Sequence, residues 1–316
     1  MLRPFRFGVQ ISNLPYDDWG GALRRLESAG FSTVFLPDHF SGQWDPLVTL
    51  AAAAGVTESL GLGSLVCDVD FRHPAILAKM AATIQVISSG RLELGIGAGW
   101  MQDDYDSSGI HFDPIGTRID RLDEALAILV SLWENDTTDY EGSHYVIRGM
   151  QKTVDLGGLP RPRLLVGGGG PRVLGLAGER ADIVGINPTM KEGRITGDTA
   201  RDLTADRLRQ KIEWIQAGVE KSGRKLEEIE LNSLVFVVAL TDDPGPIREG
   251  LAKAFGMTSQ AVAETPLALT GSGQEIRDRL CLRREQTGIS YIVIQGGDDA
   301  MLSRFSEEVI QPLAGR

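Results

Sequence analysis

The residues best suited to chemistry in this chain stand at the ends of short apolar runs. Gly167, Gly168, Gly169 and Gly170 follow the run 164–166 and precede Pro171, where a helical pattern opens. Glycines let bare main-chain N–H groups approach a ligand, and a helix entered at Pro171 turns the positive end of its dipole toward the same place. That combination suits an anionic group such as a phosphate. The simpler alternative is a strand-to-helix turn, which rarely needs four consecutive glycines. No Gly-Lys-Ser/Thr follows, so the segment is not a Walker A loop. Asp38 and His39 close another run, 33–36. Imidazole titrates near neutrality and can give or take a proton while a hydride moves; the alternative is a partly buried structural histidine. Gly95, Gly97 and Gly99 end a third run but lack the spacing and the immediate helix of a dinucleotide fingerprint, so close packing at a strand end weighs equally. Trp100, next in sequence, is suited to wall a flat ring system.

Other polar residues carry less. Asp68 and Asp70 follow the run 60–66 and read most simply as solvated or capping carboxylates. His73 precedes Pro74 at a helix start and reads as structural, His111 lies in a long polar loop as a candidate pocket residue, and His144 reads as exposed. Trp19, Trp133 and Trp214 fall at helical spacing and read as packing residues. Lys191, Arg194 and Arg201 are placed to meet an anionic tail, although solvated loop charge is the simpler reading. No Ser/His/Asp or Cys/His constellation stands out, and no metal-ligand spacing exists, so no metal is expected.

These positions need a frame. Strand-like runs occur at 5–11, 33–36, 60–66, 92–96, 164–166, 183–186, 231–240 and 291–294, each rich in Val, Ile, Leu or Phe and bounded by Gly, Pro, Asp or Asn. Helical patterns lie between them at 16–29, 45–54, 74–87, 119–133, 171–176, 202–221, 246–255 and 274–286, with a last one within 299–313. Alternating β and α elements imply an α/β protein with a parallel sheet covered by helices. Eight such units favour a (β/α)8 TIM barrel over an open doubly wound sheet, and a barrel gathers its site from the loops that follow the strands. The expected organisation is one domain over 1–316, with insertions around 99–116, 137–159 (a small hairpin and a Gly/Pro loop) and 187–200 (a candidate flap).

Composition narrows the function classes. The 316 residues are 42% hydrophobic and 24% charged, enough for a core and against disorder. A net charge of −11 argues against nucleic acid and against anionic lipid. No apolar run approaches the roughly 20 residues that span a bilayer, and the N-terminus has no long apolar segment of a signal peptide. The two cysteines, Cys67 and Cys281, imply no disulfide framework. The expectation is a cytoplasmic protein acting on a small molecule.

Several segments together are familiar. Phe71-Arg72-His73-Pro74-Ala75-Ile76-Leu77-Ala78-Lys79-Met80-Ala81-Ala82-Thr83, then Ile87-Ser88-Ser89-Gly90-Arg91-Leu92-Glu93-Leu94-Gly95-Ile96-Gly97-Ala98-Gly99-Trp100, resembles the central block of luciferase-like oxidoreductases. Pro37-Asp38-His39-Phe40, Arg118-Ile119-Asp120-Arg121, the four glycines with Pro171, Leu269-Thr270-Gly271-Ser272 and Gly288-Ile289-Ser290-Tyr291 extend the likeness over nearly the whole chain, and it is strongest to the coenzyme F420-dependent branch. The resemblance implies a (β/α)8 barrel, commonly a homodimer, that binds coenzyme F420 or, alternatively, FMN at the C-terminal ends of its strands. It implies Asp38 and His39 beside the reactive ring, cofactor contacts at Gly99, Trp100 and Gly167 to Gly170, and phosphate contacts at Asn187 and Thr189. A non-proline cis peptide of the family's third strand falls by position at Ser64–Leu65, which places these two behind the ring. Some deazaflavin dehydrogenases carry a Glu where Trp100 stands, which argues against sugar-phosphate oxidation by that route. A lysine that often meets the phosphate is replaced by Met190, with Lys191 beside it. The implied activity is hydride transfer between the deazaflavin and a small organic substrate; the alternative is an FMN-dependent monooxygenase.

Overall fold

A computed structural model describes residues 2–190 and 197–315. Eight strands run parallel and close on themselves: β1 (Arg6–Gln10), β2 (Thr33–Leu36), β3 (Gly61–Ser64), β4 (Leu92–Gly97), β5 (Arg163–Gly168), β6 (Ile183–Ile186), β7 (Glu230–Val235) and β8 (Tyr291–Gln295). Each pairs with its neighbours in sequence order, β3 with β4 through Leu62–Leu92, and β8 returns to β1 through Arg6–Tyr291. The (β/α)8 barrel read from the alternation is therefore the fold.

Strands in such a barrel are covered on both faces, which is why the sequence shows apolar runs rather than strict alternation. Leu92–Gly97 is buried along its whole length, and so is Glu230–Val235. Phe35, Leu65, Leu165, Leu234, Tyr291 and Val293 pack together inside the barrel, while the larger cluster joins the outer strand faces to the helices. Two glycines make room for the Phe35 ring. A Cβ at Gly63 would lie 2.3 Å from Phe35 Cε1, and one at Gly8 would lie 3.0 Å from Cε2.

The helices around the strands are α1 (Trp19–Ser28), α2 (Pro46–Ala54), α3 (Pro74–Ile87), α4 (Gln102–Ser108), α5 (Ile115–Glu134), α6 (Pro171–Arg180), α7 (Gly197–Arg201), α8 (Ala205–Lys221), α9 (Gly245–Phe255), α10 (Ser259–Glu264), α11 (Gly273–Thr287) and α12 (Asp299–Phe305). Local chemistry sets several boundaries. Asp45 accepts the Val48 amide ahead of Pro46, and Ser272 with Glu275 forms a capping box at α11. His73 caps α3 by accepting the Ala75 amide, which bears out its structural reading.

Three differences from the sequence reading have clear causes. The run 231–240 divides at Phe236, whose amide turns to Leu267 O; Val237–Leu240 then pairs with Ala268–Gly271, a strand the periodicity did not reveal. The non-proline cis bond is Leu65–Val66, not Ser64–Leu65. Ser64 still belongs to the ladder opposite Leu36, and its hydroxyl donates to Gly95 O while accepting the Gly95 amide, so the departure from β3 begins one residue later. The insertion 99–116 contains α4, which the sequence reading left as loop. The second insertion does form a hairpin, Thr137–Glu141 with Val146–Gln151, whose turn amides at Ser143 and Tyr145 sit on the Glu124 carboxylate. Cys67 and Cys281 are free thiols, and burial pushes that of Cys67 up to about 12.

Candidate active site

The strand C-termini open into a cavity of about 770 Å³. Its wall includes Asp38, His39, Leu65, Gly99, Trp100, the four glycines 167–170, Asn187 and Thr189, so all but one of the residues that the family resemblance assigned to the site converge on one place. Ser64 is the exception. It is fully buried and its hydroxyl is engaged with Gly95, so it supports the wall from behind. His111 points outward with its side chain 85% exposed, and His144 is exposed as expected. Lys191 and Arg194 lie outside the described residues, and Arg201 ends α7 away from the cavity wall.

The Asp38-His39 pair does not act as one unit. Both Asp38 oxygens receive the Arg72 guanidinium, at 2.6 and 3.1 Å, and Oδ2 also accepts the Asp68 amide. His39 instead donates Nδ1–H to Asp104 Oδ2 at 2.6 Å. The other Asp104 oxygen accepts the Phe40 amide at 3.0 Å, and the residue is only 4% exposed. A carboxylate held by two donors fixes both the ring orientation and the tautomer: with Nδ1 protonated, Nε2 carries the lone pair. Trp100 stands edge-on to the imidazole, their ring centres 5.7 Å apart. Asp104 comes from α4. In sequence it is one acidic residue among several in the polar insertion 99–116, with nothing local to mark it for the site.

A second acidic group adjoins the same wall. Asp68 is 7% exposed and accepts the Tyr105 hydroxyl at 2.7 Å, while the same hydroxyl lies 3.0 Å from Asp70. Asp70 pairs with Arg121. The reading of Asp68 and Asp70 as solvated is thus replaced: Tyr105, stacked edge-on against Phe112, covers them. Burial, reinforced by the Asp70 and Asp38 charges, overcomes the hydrogen bonds to the Asp68 carboxyl and pushes its pKa up to about 7. Folding therefore takes up a proton here. The contribution to stability is full below the unfolded value near 3.8 and is lost as pH rises through 7. Asp68→Asn mimics the protonated acid, so it should stabilise the fold at pH 8 by about 1–2 kcal/mol and show no such gain near pH 4. Thermal melts of both proteins across that range check this; a gain that does not change with pH counts against it.

At the opposite wall Gly167 and Gly168 complete β5, Gly169 turns, and Gly170 caps α6. Close approach requires two of these glycines. A Cβ at Gly168 would meet Val173 at 2.4 Å, and one at Gly169 would meet the Pro188 main chain at 2.4 Å. The amides of Gly170, Arg172 and Val173 have no acceptor among the described residues. These are the free donors of a helix N-terminus, and Gly170, Arg172 and Val173 all line the cavity. Thr189 lines the cavity, and its amide and hydroxyl both donate to Asp202 Oδ2, at 2.8 and 2.6 Å. Lys211, fully buried, donates to the same oxygen and to Gly169 O, and Arg207 holds Oδ1. Burial opposes the Asp202 charge, but hydrogen bonds from Lys211, Thr189 and Arg207 outweigh it and hold its pKa at about 2.

The remaining wall combines apolar Met101, Phe112, Ile115, Ile119, Leu234 and Phe236 with polar Gln10, Ser12, Gln43, Asp113 and Arg118. No group of three metal-ligating side chains occurs among the described residues. None of the described helices is long and apolar enough to cross a membrane.

Known proteins share this barrel. An F420-dependent glucose-6-phosphate dehydrogenase of Intrasporangium calvum is 27% identical over a 327-residue alignment covering 92% of this chain and 93% of the relative. An F420-dependent secondary alcohol dehydrogenase in complex with an F420-acetone adduct superposes with a TM-score of 0.78 at 18% identity, covering 97% of this chain and 98% of the other. The oxygenating constituent of 3,6-diketocamphane monooxygenase from Pseudomonas putida, in complex with FMN, superposes with a TM-score of 0.72 at 20% identity, covering 98% and 99%. The sequence model described as luciferase-like monooxygenase matches residues 2–291. With the closed barrel and nearly the whole chain matched, this protein belongs to the luciferase-like monooxygenase family of flavin- and deazaflavin-dependent oxidoreductases.

Proposed function

We propose that the protein is a coenzyme F420-dependent oxidoreductase that moves a hydride between the deazaflavin and a small organic substrate with a largely apolar body. The observation that carries this reading is His39, held by Asp104 in the Nδ1–H tautomer at the wall of the same cavity that Gly170, Arg172 and Val173 of the α6 N-terminus line. The residues fit the group. Free N–H donors beside Gly170 suit a phosphate, and the glycines leave the main chain bare where a flat ring would have to pass. When bound, the deazaflavin supplies a carbon that donates or accepts a hydride.

The chain's own residues do the rest. Gly170, Arg172 and Val173 hold the anionic end through main-chain N–H groups. Trp100 and Leu65 bound the space for the ring. His39 Nε2 exchanges the proton that accompanies hydride transfer, and Asp104 supports the imidazolium formed when it takes one up. Met101, Phe112 and Ile115 exclude water and favour an uncharged substrate over a phosphorylated sugar, in keeping with Trp100 in the place of a glutamate. The curated relatives named for F420 support the deazaflavin over FMN.

Titrating the purified protein separately with coenzyme F420 and with FMN, and following fluorescence quenching, tests the assignment. Saturable binding of F420 at least about tenfold tighter than FMN is expected, since a mismatched ring leaves polar groups unpaired. Tight FMN binding without F420 binding would transfer the reading to an FMN-dependent monooxygenase.

A further inference from the structure

Buried Lys211 and half-buried Asp202 do not line the cavity, yet the pair holds both segments that form the cavity's anion-facing wall. Lys211 projects from α8, with its side chain 0% exposed, and donates to Gly169 O at 2.5 Å and to Asp202 Oδ2 at 2.7 Å. The same Asp202 oxygen accepts both donors of Thr189. One ion pair thus ties the turn after β5 to the loop after β6.

We propose that Lys211, supported by Asp202, is a positioning residue that sets the Gly169–Gly170 peptide so that the Gly170 N–H faces the cavity and receives a ligand phosphate. This role rests on the cofactor-binding reading given above and follows from peptide stereochemistry. In a trans peptide the C=O of one residue and the N–H of the next point in opposite directions. The Gly169–Gly170 bond is trans, since Leu65–Val66 is the one cis bond among the described residues. With Gly169 O drawn back onto the buried ammonium, the Gly170 N–H points away from it, toward the side on which Gly170 lines the cavity. Two glycines in succession have little intrinsic preference for this peptide orientation. Without Lys211, Gly169 O becomes a buried acceptor without a partner, and a peptide flip would satisfy it by turning the carbonyl into the cavity, where it would repel an anion. Thr189 then serves the network: both its donors fasten its loop to Asp202, and the phosphate contact rests with the α6 amides. The positive charges of Lys211 and Arg207 against one Asp202 carboxylate leave a net positive field behind the turn.

The test compares ligands with and without the phosphate: FMN differs from riboflavin by that group alone, and coenzyme F420 differs from its chromophore by the whole phosphate-linked tail. FMN is set against riboflavin, and coenzyme F420 against its phosphate-free chromophore 8-hydroxy-5-deazariboflavin, each titrated into wild type and Lys211→Met by fluorescence quenching. The wild type should prefer the phosphate-bearing member of at least one pair. Lys211→Met should weaken that member about ten- to hundredfold while the phosphate-free partner stays within about threefold. Unchanged affinity for the phosphate-free ligand shows that the variant is folded. Should it fail to fold, Lys211→Gln keeps a donor toward Gly169 O and should show an intermediate loss of the same selectivity. Equal loss for both members would mean that Lys211 only supports the fold, and it overturns the proposal; so does an unaltered preference, or a wild type with no preference in either pair. A preference in the FMN pair alone would reject the F420 assignment while leaving this role of Lys211 standing.

Discussion

His39→Ala is expected to lower turnover by about two to four orders of magnitude while cofactor affinity changes by less than about threefold. The split follows from position. His39 contributes an imidazole edge to the cavity but no contact to the α6 amides, which stand on the opposite wall. Removing the ring removes the proton acceptor or donor and leaves the anion cradle whole. Asp104→Asn should give a smaller loss in kcat, about ten- to hundredfold, with KM nearly unchanged. A carboxamide cannot accept from both the His39 ring and the Phe40 amide, so one of the two contacts breaks and the preferred tautomer is lost. Steady-state kinetics across pH, beside direct cofactor titration, separate the outcomes. Full turnover in His39→Ala at saturating cofactor removes the proton-exchange role. A change in KM without one in kcat for Asp104→Asn would mean that Asp104 shapes the substrate pocket rather than orienting the imidazole.

What the sequence revealed of this site follows a physical line. Glycines 167–170 and Asp38-His39 were legible because each ends a recognisable apolar run, and a parallel barrel brings such ends to one mouth. The closed barrel itself followed from eight alternations, because strands buried on both faces leave a strong apolar signature. Asp104 was not legible. Its partner is 65 residues away, and the contact depends on how α4 settles against the β2 loop, which no local pattern encodes. Lys211 was hidden for a similar reason. On an amphipathic helix one lysine resembles another, and only the fold shows that this one is fully buried against Gly169. Asp68 and Asp70 were misread because carboxylates after a strand are commonly solvated, whereas here Tyr105 closes over them. The strand Ala268–Gly271 is four residues long and pairs with one that has left the barrel, so its pairing is a property of tertiary structure.

The barrel floor, at the end opposite the site, should carry a large part of the stability through ion pairs that no catalytic argument requires. Arg6 begins β1 and lies between Glu93 at 2.6 Å and Glu230 at 2.8 Å, which begin or nearly begin β4 and β7. Its guanidinium also covers the Tyr291 ring at 4.2 Å, and the Tyr291 hydroxyl donates to Glu93. Arg163 reaches the same two carboxylates at 3.2 and 3.0 Å, but its side chain is 39% exposed. Two carboxylates, 5% and 3% exposed, are thereby neutralised by two arginines across the width of the barrel. Arg6→Met leaves both carboxylates to Arg163, the more exposed of the two arginines, and an incompletely paired buried charge costs about 3–5 kcal/mol. The melting temperature should fall by about 5–15 °C. Adding Glu230→Gln removes one of the two charges and should recover part of that loss, because the energetic fault is the surplus carboxylate rather than a missing contact. Turnover of the folded protein at low temperature should match wild type, since the floor and the cavity occupy opposite ends of the strands. Thermal melts of the single and double variants decide the matter: a double variant less stable than Arg6→Met would mean that the glutamates stabilise the floor through packing and hydrogen bonds, not through their pairing with Arg6.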